Sequence, residues 1–246
     1  MTRVQSLVGR DLHNNNPPMA SPDTISAGQN ATTTRARLLL VAGPSGAGKS
    51  TFLAQLRQRT LPASIQSEFG TFADAGTALE VTNELRRRIE RSGISSAEAF
   101  GASDLLVVHY DITSIYRFAI DGYEADPGLK VLGLGDDIQI VTILPSQQQL
   151  LAQFASRARS RQRAKGLLRM AWKELVRTPL RRARLAFGIR SPRLEQDLYR
   201  DSQWVAQCYA QWQAYVAAAV AQKPSTRVLY VEPCSSNGAP SFRCMA

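Results

Sequence analysis

Arg37-Leu38-Leu39-Leu40-Val41-Ala42-Gly43-Pro44-Ser45-Gly46-Ala47-Gly48-Lys49-Ser50-Thr51-Phe52 is the stretch on which the fold turns. Its first six residues form a short apolar run bounded by Gly43-Pro44, which predicts a buried parallel strand. From Phe52 to Arg59 the apolar residues Phe52, Leu53 and Leu56 recur at helical spacing. A strand, a glycine-rich turn and a helix therefore follow one another. Working outward, the alternation repeats. Leu105-Leu106-Val107-Val108-His109-Tyr110 is a second buried-strand candidate, Asp137 to Leu144 a third (stopped by Pro145-Ser146), and Thr226 to Val231 a last. Helical patterns run from Thr77 to Ser92, with Leu79, Leu85 and Ile89 on one side and Arg86-Arg87-Arg88 mostly exposed. Others run from Ser146 toward Lys165 and, as one long helix, from Pro192 to Gln222. Residues 61–75 are ambiguous, with Ile65 to Phe69 a candidate short strand. Strands alternating with helices predict an α/β domain whose parallel sheet is covered on both faces.

Gly43-Pro44-Ser45-Gly46-Ala47-Gly48-Lys49-Ser50 fits G-x-x-x-x-G-K-[ST], a loop whose parts each have a physical task. The glycines let backbone N–H groups converge on phosphate oxygens without side-chain obstruction. Lys49 would reach the β- and γ-phosphates as a point charge, the Ser50 hydroxyl would ligate Mg²⁺, and the helix that follows would turn its N-terminus to the anion. The position between an apolar strand and a helix is the context this pattern requires. Asp111 closes the Leu105–Tyr110 strand, where a carboxylate can hold Mg²⁺ directly or through water, or accept the proton of an acceptor hydroxyl. Its plain alternative is to cap a helix starting near Thr113. His109 is a lone histidine with no partner that the sequence names, and reads as a core or strand-edge residue.

On these residues the chain resembles the P-loop NTPases, and within them the nucleotide-kinase-like branch that includes guanylate kinase. The resemblance spans about residues 37–165 and 226–231. It rests on the spelling Gly43 to Thr51, with Pro44, Ser45, Gly46, Ala47, Gly48, Lys49, Ser50 and Thr51 as the nucleotide-binding residues it implies. It rests also on Ile140-Val141-Thr142-Ile143-Leu144-Pro145-Ser146 followed by Leu150 and Arg157, which is similar to the segment leading into the family's arginine-bearing lid. Leu144 stands where that segment has its first proline and Gln153 where it has its first arginine, whereas Arg157 matches the second. The resemblance implies a three-layer P-loop fold with a parallel sheet, carrying a basic helical insert at 157–225 within a domain at 35–246. It implies binding of ATP, or of GTP, with Mg²⁺. Residues 67–103 occupy the place where that family binds its acceptor, and no signature there names one.

Composition narrows the function classes. The chain has 246 residues, 44% of them hydrophobic and 20% charged, enough for one packed domain. Cys208, Cys234 and Cys244 form no C-x-x-C pair, so neither a disulfide framework nor a zinc site is indicated. No apolar run reaches the length of a membrane span. Residues 1–34 are polar and read as a disordered lead without a signal peptide, which makes a cytoplasmic protein the default.

The net charge of +10 is concentrated: from Arg157 to Arg193 there are thirteen Lys or Arg and one acid, Glu174. Arg157 and Arg161, four apart on a predicted helix, could together stabilise a phosphoryl group in transfer. Further on, Leu167, Met170, Trp172 and Leu175 interleave with Arg169, Lys173 and Arg177, a pattern that suits an anionic membrane surface at 157–193, or an ordinary docking helix. No stacking motif or nucleic-acid module is present, which disfavours RNA and DNA. Tyr199, Trp204, Tyr209, Trp212 and Tyr215 read as core packing ahead of a ligand platform.

The expected activity is a Mg²⁺-dependent kinase moving the γ-phosphoryl group of ATP to a small-molecule or glycan-like acceptor. The alternative is a regulatory or membrane-associated NTPase whose basic insert is the effector surface.

Overall fold

A computed structural model describes residues 36–73, 76–164, 198–236 and 239–245, the side chains of 71, 73, 156–164 and 236 excepted. The chain divides into residues 1–33 and a compact unit, Thr34–Ala246. The expectation of a disordered lead at 1–34 lies outside the described residues, as does most of the basic block, 165–197.

The unit is an α/β fold on a mostly parallel, six-stranded mixed sheet. Strand β1 (Arg37–Gly43) leads into helix α1 (Lys49–Gln58) and the short α2 (Ala63–Gln66). Strand β2 (Thr77–Glu80), α3 (Asn83–Ser92), α4 (Ser96–Phe100), β3 (Leu105–Asp111) and the single-turn α5 (Ser114–Arg117) follow. After a 3₁₀ segment at Pro127–Leu134 come β4 (Asp137–Ile143), α6 (Gln147–Ala164), α7 (Ser202–Gln222), β5 (Arg227–Ser236) and β6 (Ala239–Cys244). The strands lie in the order β2-β3-β1-β4-β5-β6. From the central β1 the chain therefore first goes out to the edge strand β2, returns to β3 beside β1, and then crosses to β4 on the other side. That reversal puts a crevice at the carboxyl end of β1, the place where open α/β sheets bind ligands.

Alternation along β1 divides the core in two. Leu38, Leu40 and Ala42 pack with Ile89 of α3, Phe100 of α4 and Trp212 of α7 on one face. Leu39 and Val41 pack with Phe52 and Leu56 of α1 and with Phe242 of β6 on the other. Both faces of the sheet are thus covered, as its continuous apolar strands demand. The aromatics of α7 belong to this packing. Trp212 is fully buried, stacks on Tyr110 with ring centroids 5.5 Å apart, and donates from Nε1 to Thr142 Oγ1 at 2.9 Å.

Four expectations change. Thr77–Glu80 is a strand, not the first turn of a helix. It pairs parallel with Leu106–His109 at the sheet edge, and Thr82 caps α3 by accepting from Leu85 N at 3.2 Å. Tertiary pairing overrides a helical pattern that the Leu79–Leu85–Ile89 spacing only mimicked. Ile65 lies in a helical turn, its N–H bonded to Pro62 O at 2.9 Å. The helix ending at Gln222 starts at Ser202, because Asp201 Oδ1 accepts from Gln203 N and Trp204 N and so fixes an N-terminus there. The sheet is not wholly parallel: β6 follows β5 after two residues, and strands joined so closely can only pair antiparallel. Of the triple Arg86-Arg87-Arg88, expected to be mostly exposed, Arg87 and Arg88 are exposed and Arg86 is buried, 3% exposed. Among the described residues no helix is long and apolar enough to cross a membrane.

Candidate functional site

The glycine-rich loop bridges the end of β1 and the start of α1, and its geometry follows from two glycines. A Cβ on Gly43 would stand 2.7 Å from the Ile143 carbonyl oxygen, so only glycine lets β1 pass that close to β4. Gly48, with φ +90°, is the N-cap of α1, in the left-handed region that side chains resist. It offers no side-chain cap to the first-turn amides, which leaves the helix N-terminus open to an anion. Ala47 N donates to Pro44 O at 3.1 Å and closes the loop.

Lys49 is 6% exposed and turns back beneath that loop. Its Nζ donates to Gly43 O at 2.7 Å and to Pro44 O at 2.8 Å. An ammonium has three donors, and these two bonds hold its charge inside the curve of the loop.

Strand register brings Asp111 to the same place, since it pairs with Gly43. Its Oδ1 accepts from Thr113 N at 3.1 Å and from Thr113 Oγ1 at 2.7 Å, and its Oδ2 from Arg117 Nη1 at 2.9 Å. The local turn-closing role and a site-facing position therefore coexist in one carboxylate. A cavity of about 390 Å³ opens here, lined by the loop from Ser45 to Thr51 and by Asp111. Of the sequence-predicted site residues, Ser45, Gly46, Ala47, Gly48, Lys49, Ser50, Thr51 and Asp111 meet at this cavity. Gly43 and Pro44 stand behind it as the carbonyls that hold Lys49. Arg157 and Arg161 lie on the outer half of α6, and their side chains fall outside the described residues. The start of α6 is fixed by a reciprocal cap, Ser146 N donating to Gln149 Oε1 at 2.8 Å and Gln149 N to Ser146 Oγ at 3.3 Å.

The opposite wall carries residues without a role in the sequence reading: Glu80, Thr82, Asn83, Arg86, Arg117 and Phe118. Arg86 is held by Asp126, Nε lying 2.9 and 3.1 Å from its two oxygens, and by Val81 O, which accepts from Nη1 at 3.1 Å. Asp126 also accepts from Tyr110 Oη, from Ser114 Oγ at 2.9 Å and from Gly128 N at 2.8 Å. Burial, with the Asp126 charge next, pushes the Tyr110 phenol far up, so it remains a donor. The one signal that could have found Arg86 is its place three residues before Ile89, on the buried side of α3.

His109 also lines the cavity and is half-buried. Its Nδ1 lies 4.0 Å from Glu80 Oε1, and its Nε2 is buried with no hydrogen-bond partner among the described residues. Burial first, and the nearby Lys49 charge second, hold its pKa below the ordinary histidine value. The three cysteines are free, and burial pushes the Cys208 thiol up to about 12.

The arrangement can present open backbone amides and a buried ammonium to an anion, with carboxylate and hydroxyl oxygens beside it. Among the described residues no group of three or more His, Cys, Asp or Glu forms a metal cluster. Neither a protein-family model nor a curated protein matches the chain.

Proposed function

We propose that the chain is a P-loop phosphotransferase of three-layer α/β architecture that binds ATP, or GTP, with Mg²⁺ and passes the γ-phosphoryl group to a small acceptor. The observation that carries this reading is the Lys49 ammonium held under a glycine loop at the carboxyl end of the central strand. A charge fixed there, beside the uncapped amides of α1, suits the β- and γ-phosphates of a triphosphate.

Ser50, exposed in the first turn of α1, and Asp111, at the end of β3, line one cavity and present the hard oxygen donors that Mg²⁺ takes. Held by these two residues, Mg²⁺ would supply positive charge against the phosphates. Thr113 and Arg117 orient the Asp111 carboxylate, which lowers the ordering cost of using it. The loop amides would bind the phosphates in place of water, and Arg157 with Arg161 would reach the transferring group from α6.

Calorimetry with Mg-ATP and Mg-GTP on the wild type and on Lys49→Ala tests the reading. Binding that weakens about 100-fold or more in the variant, the loss of a charged hydrogen-bonding group, is expected. A folded wild type that binds neither nucleotide overturns it. Hydrolysis stimulated by anionic liposomes, with no transfer to any acceptor, would favour the regulatory NTPase instead.

A further inference from the structure

The cavity wall facing the glycine loop has its charges cancelled in pairs. Arg86 is spent on Asp126, with side chains 4% and 0% exposed, and Arg117 reaches Asp111 at 2.9 Å. Glu80, its side chain 74% exposed at the end of β2, adds a further negative charge. Recognition of a phosphate-bearing acceptor calls for the reverse, cations whose charge is uncompensated and whose N–H forks face the ligand. Such an acceptor would meet two neutralised arginines and a carboxylate.

Hydrogen-bonding capacity is plentiful on the same wall. Arg86 Nη2 is buried with no hydrogen-bond partner among the described residues, a donor whose unmade bond is costly. The Phe118 ring lies 4.6 Å from the Arg86 guanidinium carbon and covers it, so a ligand reaches Nη2 by displacing that ring. Thr82 and Asn83 bring a hydroxyl and an amide from the start of α3, and Glu80 brings an acceptor. Donors and acceptors interleaved beside an aromatic ring match a ligand whose own groups are both, and the hydroxyl is that group.

We infer that the phosphoryl acceptor is a neutral polyhydroxylated molecule, a sugar or cyclic polyol, held between Arg86 and Glu80 beside Phe118. The inference rests on the phosphotransferase reading. One acceptor hydroxyl oxygen bonds the γ-phosphorus while the bond from that phosphorus to the β,γ-bridging oxygen breaks. The electron pair leaves on the nucleoside diphosphate, and the hydroxyl proton passes to the Glu80 carboxylate and on to solvent.

The test uses the full chain, Mg²⁺ and a nucleotide labelled on its γ-phosphate. Transfer is measured to glucose, mannose, N-acetylglucosamine, ribose and myo-inositol, and in parallel to hexose 6-phosphates and nucleoside monophosphates. Transfer to a neutral member at a kcat/KM about 100-fold or more above any anionic one is expected. Glu80→Gln should then lower kcat for that acceptor about 100-fold, the loss of the proton acceptor, and raise its KM about tenfold, the loss of one charged hydrogen bond, with the nucleotide Kd within about twofold of wild type. Preference for a phosphorylated acceptor overturns the inference. So does a protein that binds Mg-nucleotide normally yet labels no neutral member. Failure to bind nucleotide at all is a different result, and removes the phosphotransferase reading itself.

Discussion

Phe242, near the end of the chain, stands against Gly48 at the mouth of the glycine loop: a Cβ on Gly48 would lie 3.5 Å from its Cζ. The ring is 3% exposed and meets Phe52 of α1 edge-on, centroids 5.0 Å apart at 81°. Gln55 Nε2 donates to Pro240 O at 2.7 Å and ties the same strand to the same helix. The last strand therefore braces the turn from which α1 presents its amides.

Phe242→Ala should cost about 3–5 kcal/mol of stability, through lost burial and the cavity it leaves. Urea unfolding measures it, and a loss under 1 kcal/mol would show that β6 braces nothing. Gly48→Ala acts through the backbone instead, since 3.5 Å is ordinary contact but φ +90° is not an alanine conformation. About 1–2 kcal/mol is expected there.

The Arg86–Asp126 pair lends itself to a double-mutant cycle. Arg86→Met or Asp126→Asn alone leaves an uncompensated buried partner and should destabilise by about 3–5 kcal/mol. Combining Arg86→Met with Asp126→Asn should recover part of that, because neither change leaves a buried charge unpaired and the asparagine oxygen still accepts from the Asp126 donors. Additive losses in the cycle would contradict the coupling.

Acidification should act on His109. Its pKa is depressed in the folded chain, mainly by burial and then by Lys49, so the folded state prefers the neutral ring. The stability this confers is complete above the ordinary value of 6.5 and is lost as pH falls from there through the folded pKa. Relative to His109→Gln, the wild type should therefore lose stability as pH falls below the ordinary histidine value of 6.5. Imidazole NMR titration gives the direct check, and a pKa above the ordinary value would reverse the prediction.

Asp201 accepts two backbone N–H groups at the head of α7. Asp201→Ala should cost about 1 kcal/mol and Asp201→Asn much less, since asparagine caps nearly as well. Equal losses in thermal unfolding would mean that the charge, not the cap, is what counts.

The loop and its two flanking elements were legible in the sequence because their conformations are set locally. An apolar run, glycines where no side chain fits and a helical repeat lie within sixteen consecutive residues, Arg37 to Phe52. Asp111 was legible for a related reason, standing at the end of an apolar run whose neighbour in the sheet could only be another such run. Tertiary structure alone decided the opposite wall. Thr77–Glu80 carries a helical spacing, and only pairing with β3 makes it a strand and sets Glu80 beside His109. Arg86 shares its local pattern with Arg87 and Arg88, and what buries it is a carboxylate forty residues away, Asp126. Phe242 likewise gains its role from a helix near the other end of the chain. Local sequence dictates backbone conformation where sterics and periodicity suffice; which charged side chain is buried, and against what, depends on contacts between distant segments that no window of neighbouring residues contains.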